Sequence, residues 1–101
     1  MSKITAVFEL PGMTAAQYDA IVNELKAQGK LPEDRRPSHI AFQKGDNWCV
    51  VDVWNSEADL MEFGQTTLFP IFAKLGISPT PPAIYPLHHF IGSNVEEYME
   101  A

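Results

Sequence analysis

Trp48, Cys49, Val50, Val51, Val53 and Trp54 form an apolar run broken by one carboxylate, Asp52. Such a run favours pleated backbone and reads as a buried strand. A carboxylate within it is costly unless it is paired, hydrogen-bonded or wet, so the pattern predicts a partner for Asp52. Upstream, KITAVFEL at residues 3 to 10 reads as a first strand, stopped by Pro11-Gly12. In the following MTAAQYDAIVNELKAQG, Tyr18, Ile21, Val22 and Leu25 recur at helical spacing. Thr14 and Gln17 have the spacing of a capping box, and Gly29 stands where a helix ends. KLPEDRRP is a polar loop bounded by prolines. SHIAFQK predicts a second strand and WCVVDVWN a third, with Gly45-Asp46-Asn47 as the hairpin turn between them. Ser56 caps a helix over EADLMEFGQ. TLFPIFAKLG continues as a second helical piece, with Pro70 in its first turn and Gly76 as its stop. ISPTPPA is a stiff connector, and IYPLHHFIG predicts a fourth strand in which Pro86 marks an edge or a bulge. The pattern thus divides into a domain at residues 1–92 and an acidic tail at 93–101, SNVEEYMEA, either a short helix or frayed.

The element order β-α-β-β-α-β is the split βαβ pattern of a ferredoxin-like α+β fold, a four-stranded antiparallel sheet with helices on one face. The third strand is apolar on both sides, with Cys49, Val51 and Val53 on one and Trp48, Val50 and Trp54 on the other. Helices cover one side only. The other predicts a homodimer that packs sheet against sheet.

Charge and composition narrow the function. A length of 101 residues allows one domain, and a net charge of -6 argues against nucleic acid and against an anionic membrane surface. No run approaches a membrane span, and MSKITAVFELPG lacks the features of a signal peptide, so the expected setting is cytoplasmic. Cys49 is the only cysteine, which excludes a disulfide within the chain; in mid-strand it reads as a buried, inert thiol. No glycine-rich phosphate loop is present, and no cofactor is expected. The three histidines lack H-x-x-x-H or H-x-H spacing, and His88 and His89, adjacent on a strand, point to opposite faces, so no metal is expected either.

Several segments resemble a known family. LPGMTAAQYDAI, HIAF, GDNWCVVDVWNSEADLMEF, LFPIFAKLGI and PLHHFIG are similar to segments of the dimeric α+β barrel superfamily, and within it to proteins like the antibiotic biosynthesis monooxygenases. The resemblance covers nearly the whole chain. It implies two βαββαβ subunits forming a barrel, with a ligand pocket in each between sheet and helices. Its members include cofactor-independent oxygenases, haem-degrading enzymes, isomerases, dehalogenases and proteins without known activity, so fold does not select the chemistry. Haem degradation in this superfamily implies an axial histidine on a helix, and neither predicted helix has one. The resemblance also implies a site histidine near the end of the last strand, which His88 matches.

The candidate site follows from the hairpin. If its loop is Asp46-Asn47, Ala41 faces Asp52, and His39 and Asp52 are diagonal neighbours on one side. If the loop has three residues, Ile40 faces Asp52 and His39 turns away. His39, Asp52 and His88 are the candidate catalytic groups. Trp54, Trp48, Tyr18, Phe42, Phe63 and Phe72 are the candidate cavity wall for a small apolar or aromatic ligand. A His-Asp pair in an apolar cavity can take a proton from a phenol or enol, and the resulting carbanion can react with dioxygen without a metal. Arg35 and Arg36 lie in a loop, and no arginine sits in a strand to hold a substrate anion. The competing reading is a non-catalytic ligand-binding or purely structural barrel, in which the strand His and Asp merely satisfy each other. A cavity of about 300 Å³ or more on which these groups converge separates the two.

Overall fold

Ile4, Ala6, Phe8 and Leu10 alternate along β1 (Ile4–Pro11) and turn one face toward the core. The computed structural model describes residues 3–92 and 95–99. The chain then forms α1 (Ala15–Gln28), β2 (Ser38–Lys44) and β3 (Asn47–Trp54). Next come α2 (Glu57–Phe63), a π turn (Gly64–Leu68), α3 (Phe69–Leu75) and β4 (Ala83–Pro86). The four strands make one antiparallel sheet in the order β2-β3-β1-β4. This α+β arrangement is compatible with a ferredoxin-like fold.

Local chemistry sets the ends of α1. The Thr14 side chain accepts from the Gln17 amide while the Gln17 side chain accepts from the Thr14 amide, and Gly29 closes the helix at φ 67. That left-handed conformation suits a residue without Cβ. Ser56 caps α2 by accepting from the Asp59 amide. The π turn inserts an extra residue into the helical phase, so Phe63 and Leu68, five apart, both reach the core. Pro70 lies in the first turn of α3 and Gly76 ends it.

Helices cover one face of the sheet. There Ala6, Leu10, Trp48, Val50 and Trp54 pack with Ile21 and Leu25 of α1, Leu60 and Phe63 of α2, and Ile71 and Phe72 of α3. The opposite face carries Ile40 and Phe42 of β2 and Tyr85 of β4, which are 56%, 43% and 56% exposed. Trp48, Val50 and Trp54 thus face the helices, as expected, and Cys49, Val51 and Val53 lie on the other side of β3.

The C-terminal region departs from expectation. IYPLHHFIG is not one strand. β4 stops at Pro86, and the chain reaches the main sheet once more, through the Leu87 N–H on Lys3 O at 3.2 Å. It then forms β5 (His89–Gly92), which pairs antiparallel with β6 (Val95–Tyr98) in a separate two-stranded sheet. Proline has no N–H to continue the ladder, and the register with β1 runs out at Ile4↔Pro86. The described part of the acidic tail is therefore a strand, not a helix or a frayed end; residues 93, 94, 100 and 101 lie outside the described residues. Lys3 Nζ meets Glu97 Oε2 at 3.0 Å and ties the hairpin to the start of β1. No described helix is long and apolar enough to cross a membrane.

Candidate functional site

The β2–β3 hairpin decides the geometry. Its loop is Gly45-Asp46, and Asn47 already belongs to β3. Gly45 takes φ 59, the left-handed conformation that a tight two-residue hairpin loop requires. Asp46 O accepts from Gly12 N–H at 3.0 Å, which pins the loop beside the end of β1. The register is neither of the two expected. His39 stands directly opposite Asp52, with Ile40 opposite Val51 and Ala41 opposite Val50. This is a two-residue slip from the two-residue reading, so every side chain keeps its face and the diagonal pair becomes a direct one. The three-residue alternative is overturned.

Asp52 is 3% exposed and satisfied on both oxygens. Its Oδ1 meets His39 Nδ1 at 2.5 Å, and its Oδ2 accepts from the Trp54 indole N–H at 3.2 Å. Trp54 lies two residues further along the strand, so its ring shares the face and reaches back. An ionised carboxylate only accepts; the His39 tautomer consistent with it carries the proton on Nδ1. The lone pair on Nε2 then accepts from the Tyr18 hydroxyl, 2.6 Å away. Tyr18 comes from the first turns of α1, and its ring packs on Trp48 with centroids 5.1 Å apart. Burial raises the Tyr18 pKa above the ordinary value, with the Asp52 and Asp19 charges adding to the effect and Arg36 opposing it. The phenol is held neutral, a donor at the end of a three-residue chain.

That chain opens on a cavity of about 240 Å³ between sheet and helices. Phe8 and Leu10 of β1, Ile21 and Leu25 of α1, and Phe63, Phe69 and Phe72 of the α2–α3 segment form much of its apolar wall. Tyr18, His39, Asp52, Trp54 and Arg36 are among its polar lining. The volume is somewhat below the 300 Å³ anticipated, yet His39 and Asp52 converge on it.

Of the expected residues, His39, Asp52, Trp54, Tyr18, Phe63 and Phe72 line the cavity. His88 does not. It is exposed in the link between β4 and β5, edge-on to Tyr98 with centroids 5.7 Å apart; the strand break at Pro86 carries it away from the helix-covered face. Phe42 is a second correction. It pairs with Cys49 on the uncovered face of the sheet and cannot reach the cavity. Trp48 is a third: it is buried behind Tyr18, outside the lining, and its indole N–H meets no acceptor among the described residues. Cys49 is buried and free.

Arg36 is the residue that sequence reasoning missed. Its loop is folded back by the amides of Arg35 and Arg36 on Pro32 O, at 3.2 and 2.9 Å. Asn55, just beyond β3, holds it in place: its N–H donates to Arg35 O at 2.9 Å and its side-chain amide to Asp34 O at 3.2 Å. Arg36 lines the cavity, and its guanidinium lies 5.9 Å from the Trp54 ring centroid. Burial lowers its pKa from the ordinary value, while Asp52 and Tyr18 pull the other way. No local pattern marks this placement, because it depends on a long-range backbone contact; the only signal was a basic pair in a proline-bounded loop.

Among the described residues, no group of three or more His, Cys, Asp or Glu is arranged to hold a metal ion. No protein-family model matches the chain, and neither a curated protein nor a solved structure matches it.

Proposed function

We propose that the chain is a small-molecule-binding homodimer that takes a proton from an aromatic or enolic ligand and acts on it as a cofactor-independent monooxygenase. The observation that carries this reading is the Tyr18–His39–Asp52 hydrogen-bond chain ending on an apolar cavity. Asp52 orients the imidazole and pairs with the imidazolium once a proton arrives. Tyr18 passes the proton: it gives its own to His39 Nε2 as it takes one from the ligand. The ligand's ring carbon, made electron-rich by the loss of that proton, bonds to dioxygen. The hydroperoxide so formed loses water and leaves a carbonyl. A naphthol would thus become a naphthoquinone, with one dioxygen consumed and one water released.

The same resemblance that suggested the fold supports membership among the antibiotic biosynthesis monooxygenase-like dimeric barrels. The uncovered apolar face, with Ile40, Phe42 and Tyr85 exposed, supports a second copy packed sheet against sheet. A single free cysteine, Cys49, is consistent with a cytoplasmic setting. Oxygen uptake with a naphthol tests the catalytic step. The expected result is quinone formation that falls at least about a hundredfold in His39→Gln; equal rates in the two proteins, or none in either, would end the oxygenase reading.

One observation favours a second reading. His39 Nε2 is already engaged by Tyr18, so the base is not free in this state. A protein that binds a small apolar ligand without turning it over would look the same. Ligand carried through purification and seen in native mass spectra, with no oxygen uptake, would select that alternative.

A further inference from the structure

Arg35 and Arg36 are adjacent and differ in one respect. Arg35 Nη1 meets Glu62 Oε1 at 3.2 Å. Lys3, Lys44 and Lys74 likewise meet Glu97, Glu9 and Glu24. Arg36 has no carboxylate within ion-pair distance and no hydrogen-bond acceptor for its guanidinium among the described residues, although it is partly buried and lines the cavity. The other cationic lining residue, Lys26, is exposed to solvent. No Arg36 nitrogen is among the fully buried atoms without a partner, so the guanidinium keeps some solvent contact; its partial burial without an acceptor still costs hydration that a bound anion would restore. Asp52, which acts on it electrostatically, already gives one oxygen to His39 and the other to Trp54. The planar donor fork of Arg36, flanked by the Trp54 ring, is left for whatever occupies the cavity. A free guanidinium can donate charge-assisted hydrogen bonds to an anionic oxygen.

Charge balance points the same way. With His39 neutral, Arg36 and Asp52 cancel. An anion alone would leave the site negative, and the chain's net charge of -6 disfavours its approach. A neutral acid meets neither obstacle. Once inside, its O–H bond breaks, an N–H bond forms at His39 Nε2 through Tyr18, and the new pairs are ligand anion with Arg36 and imidazolium with Asp52. The charges again sum to zero. Size restricts the acid further. A cavity of about 240 Å³ equals roughly eight waters at about 30 Å³ each, which suits a one- or two-ring compound.

We propose that Arg36 seats the ionised oxygen of a small aromatic acid, a phenol or its enol equivalent, whose proton is taken up by the Tyr18–His39 pair. This deepens the proton-abstraction reading and rests on it for the fate of the proton, but not for the seat of the anion.

The test titrates the protein with para-nitrophenol and with para-nitroanisole, its methyl ether, at a pH where the free phenol is mostly un-ionised. The phenolate's visible absorbance reports its state. The wild-type chain should bind the phenol at least about tenfold more tightly than the ether and should hold it as phenolate. Arg36→Gln should lose both the preference and the phenolate band while binding the ether as before; Arg36→Lys, which keeps the charge, should retain most of the band. Circular dichroism of each variant checks that the fold is intact. Persistence of preference and band in Arg36→Gln overturns the proposal. So does a wild-type chain that binds neither compound or binds both equally, and so does an Arg36→Gln chain that loses the ether as well, since Arg36 would then act as wall. His39→Gln separates the two readings. If it binds phenolate at the same pH as wild type, the relay fails and the Arg36 seat stands; if it binds phenolate only at higher pH, both stand.

Discussion

Asp52 divides its two oxygens between a histidine that can move a proton and an indole that cannot. This gives Asp52→Asn a distinctive outcome. The amide presents one acceptor and one donor, where the site offers two N–H donors. If the Asn oxygen keeps the Trp54 indole, its NH2 must face His39 Nδ1, and the imidazole must move its proton to Nε2. The bond to Tyr18 then reverses, with Nε2 donating to the hydroxyl. Packing survives, so the variant should lose only about 1–2 kcal/mol of stability and should lose proton uptake almost entirely, as a wrong tautomer predicts. Nitrogen NMR of His39 reads the tautomer directly; a protonated Nδ1 in the variant would contradict the argument. Tyr18 supplies a separate test. Its folded-state pKa lies above the ordinary 10.0, chiefly through burial, so the folded chain favours the neutral phenol. That contribution is complete below the ordinary value and is lost as pH rises through the raised one. Denaturation at a series of alkaline pH values should therefore show stability falling above about pH 10, with a shallower fall in Tyr18→Phe. Identical alkaline limbs would mean that Tyr18 ionises as freely in the folded chain as in the unfolded one.

Elements whose causes are local were legible in the sequence. The Thr14–Gln17 box, the Ser56 cap and the stops at Gly29 and Gly76 all formed as their residue types dictate, and β2 matched SHIAFQK residue for residue. Thr14→Ala should accordingly cost about 1 kcal/mol and should also loosen the first turns of α1, which carry Tyr18; amide exchange faster at Gln17 and Tyr18 than at Leu25 is the expected signature. Elements whose causes are distant were not legible. Whether IYPLHHFIG is one strand or two depends on where β1 ceases to offer partners, and the acidic VEEY becomes β6 only because β5 lies beside it. His88 was misplaced for that reason. The site shows the same division. The alternation of β3 put Asp52 and Trp54 on one face, and the hairpin brought His39 within reach even with the register wrong by two. Arg36 depended on Asn55 holding a loop from the far end of β3, which no periodicity encodes.

At the scale of the molecule, the two faces of the sheet are unequal. One is sealed by three helical segments, and the other leaves Ile40, Phe42 and Tyr85 largely in water. The β5–β6 hairpin adds Ile91, Val95 and Tyr98, which are 65%, 41% and 64% exposed. A two-stranded hairpin is marginal by itself; among the described residues, the Lys3–Glu97 pair and the Leu87 amide tie this one to the main sheet. A second copy laid on the uncovered face would remove Ile40, Phe42 and Tyr85 from water, and a two-fold arrangement needs only that the same patch fit itself. The chain should therefore sediment at micromolar concentration with twice its 11.3 kDa mass, and its thermal midpoint should rise with protein concentration. Ile40→Glu with Phe42→Glu places charge in the middle of that face without touching the cavity, because both side chains point away from the helices. This double variant should sediment as a monomer and melt at a concentration-independent temperature. A wild-type chain that remains monomeric and soluble at high concentration would refute the dimer outright, since the exposed face would then be tolerated as it stands. If the double variant dissociates yet still binds para-nitrophenol as phenolate, the cavity is complete within one subunit, and dimerisation serves stability rather than chemistry.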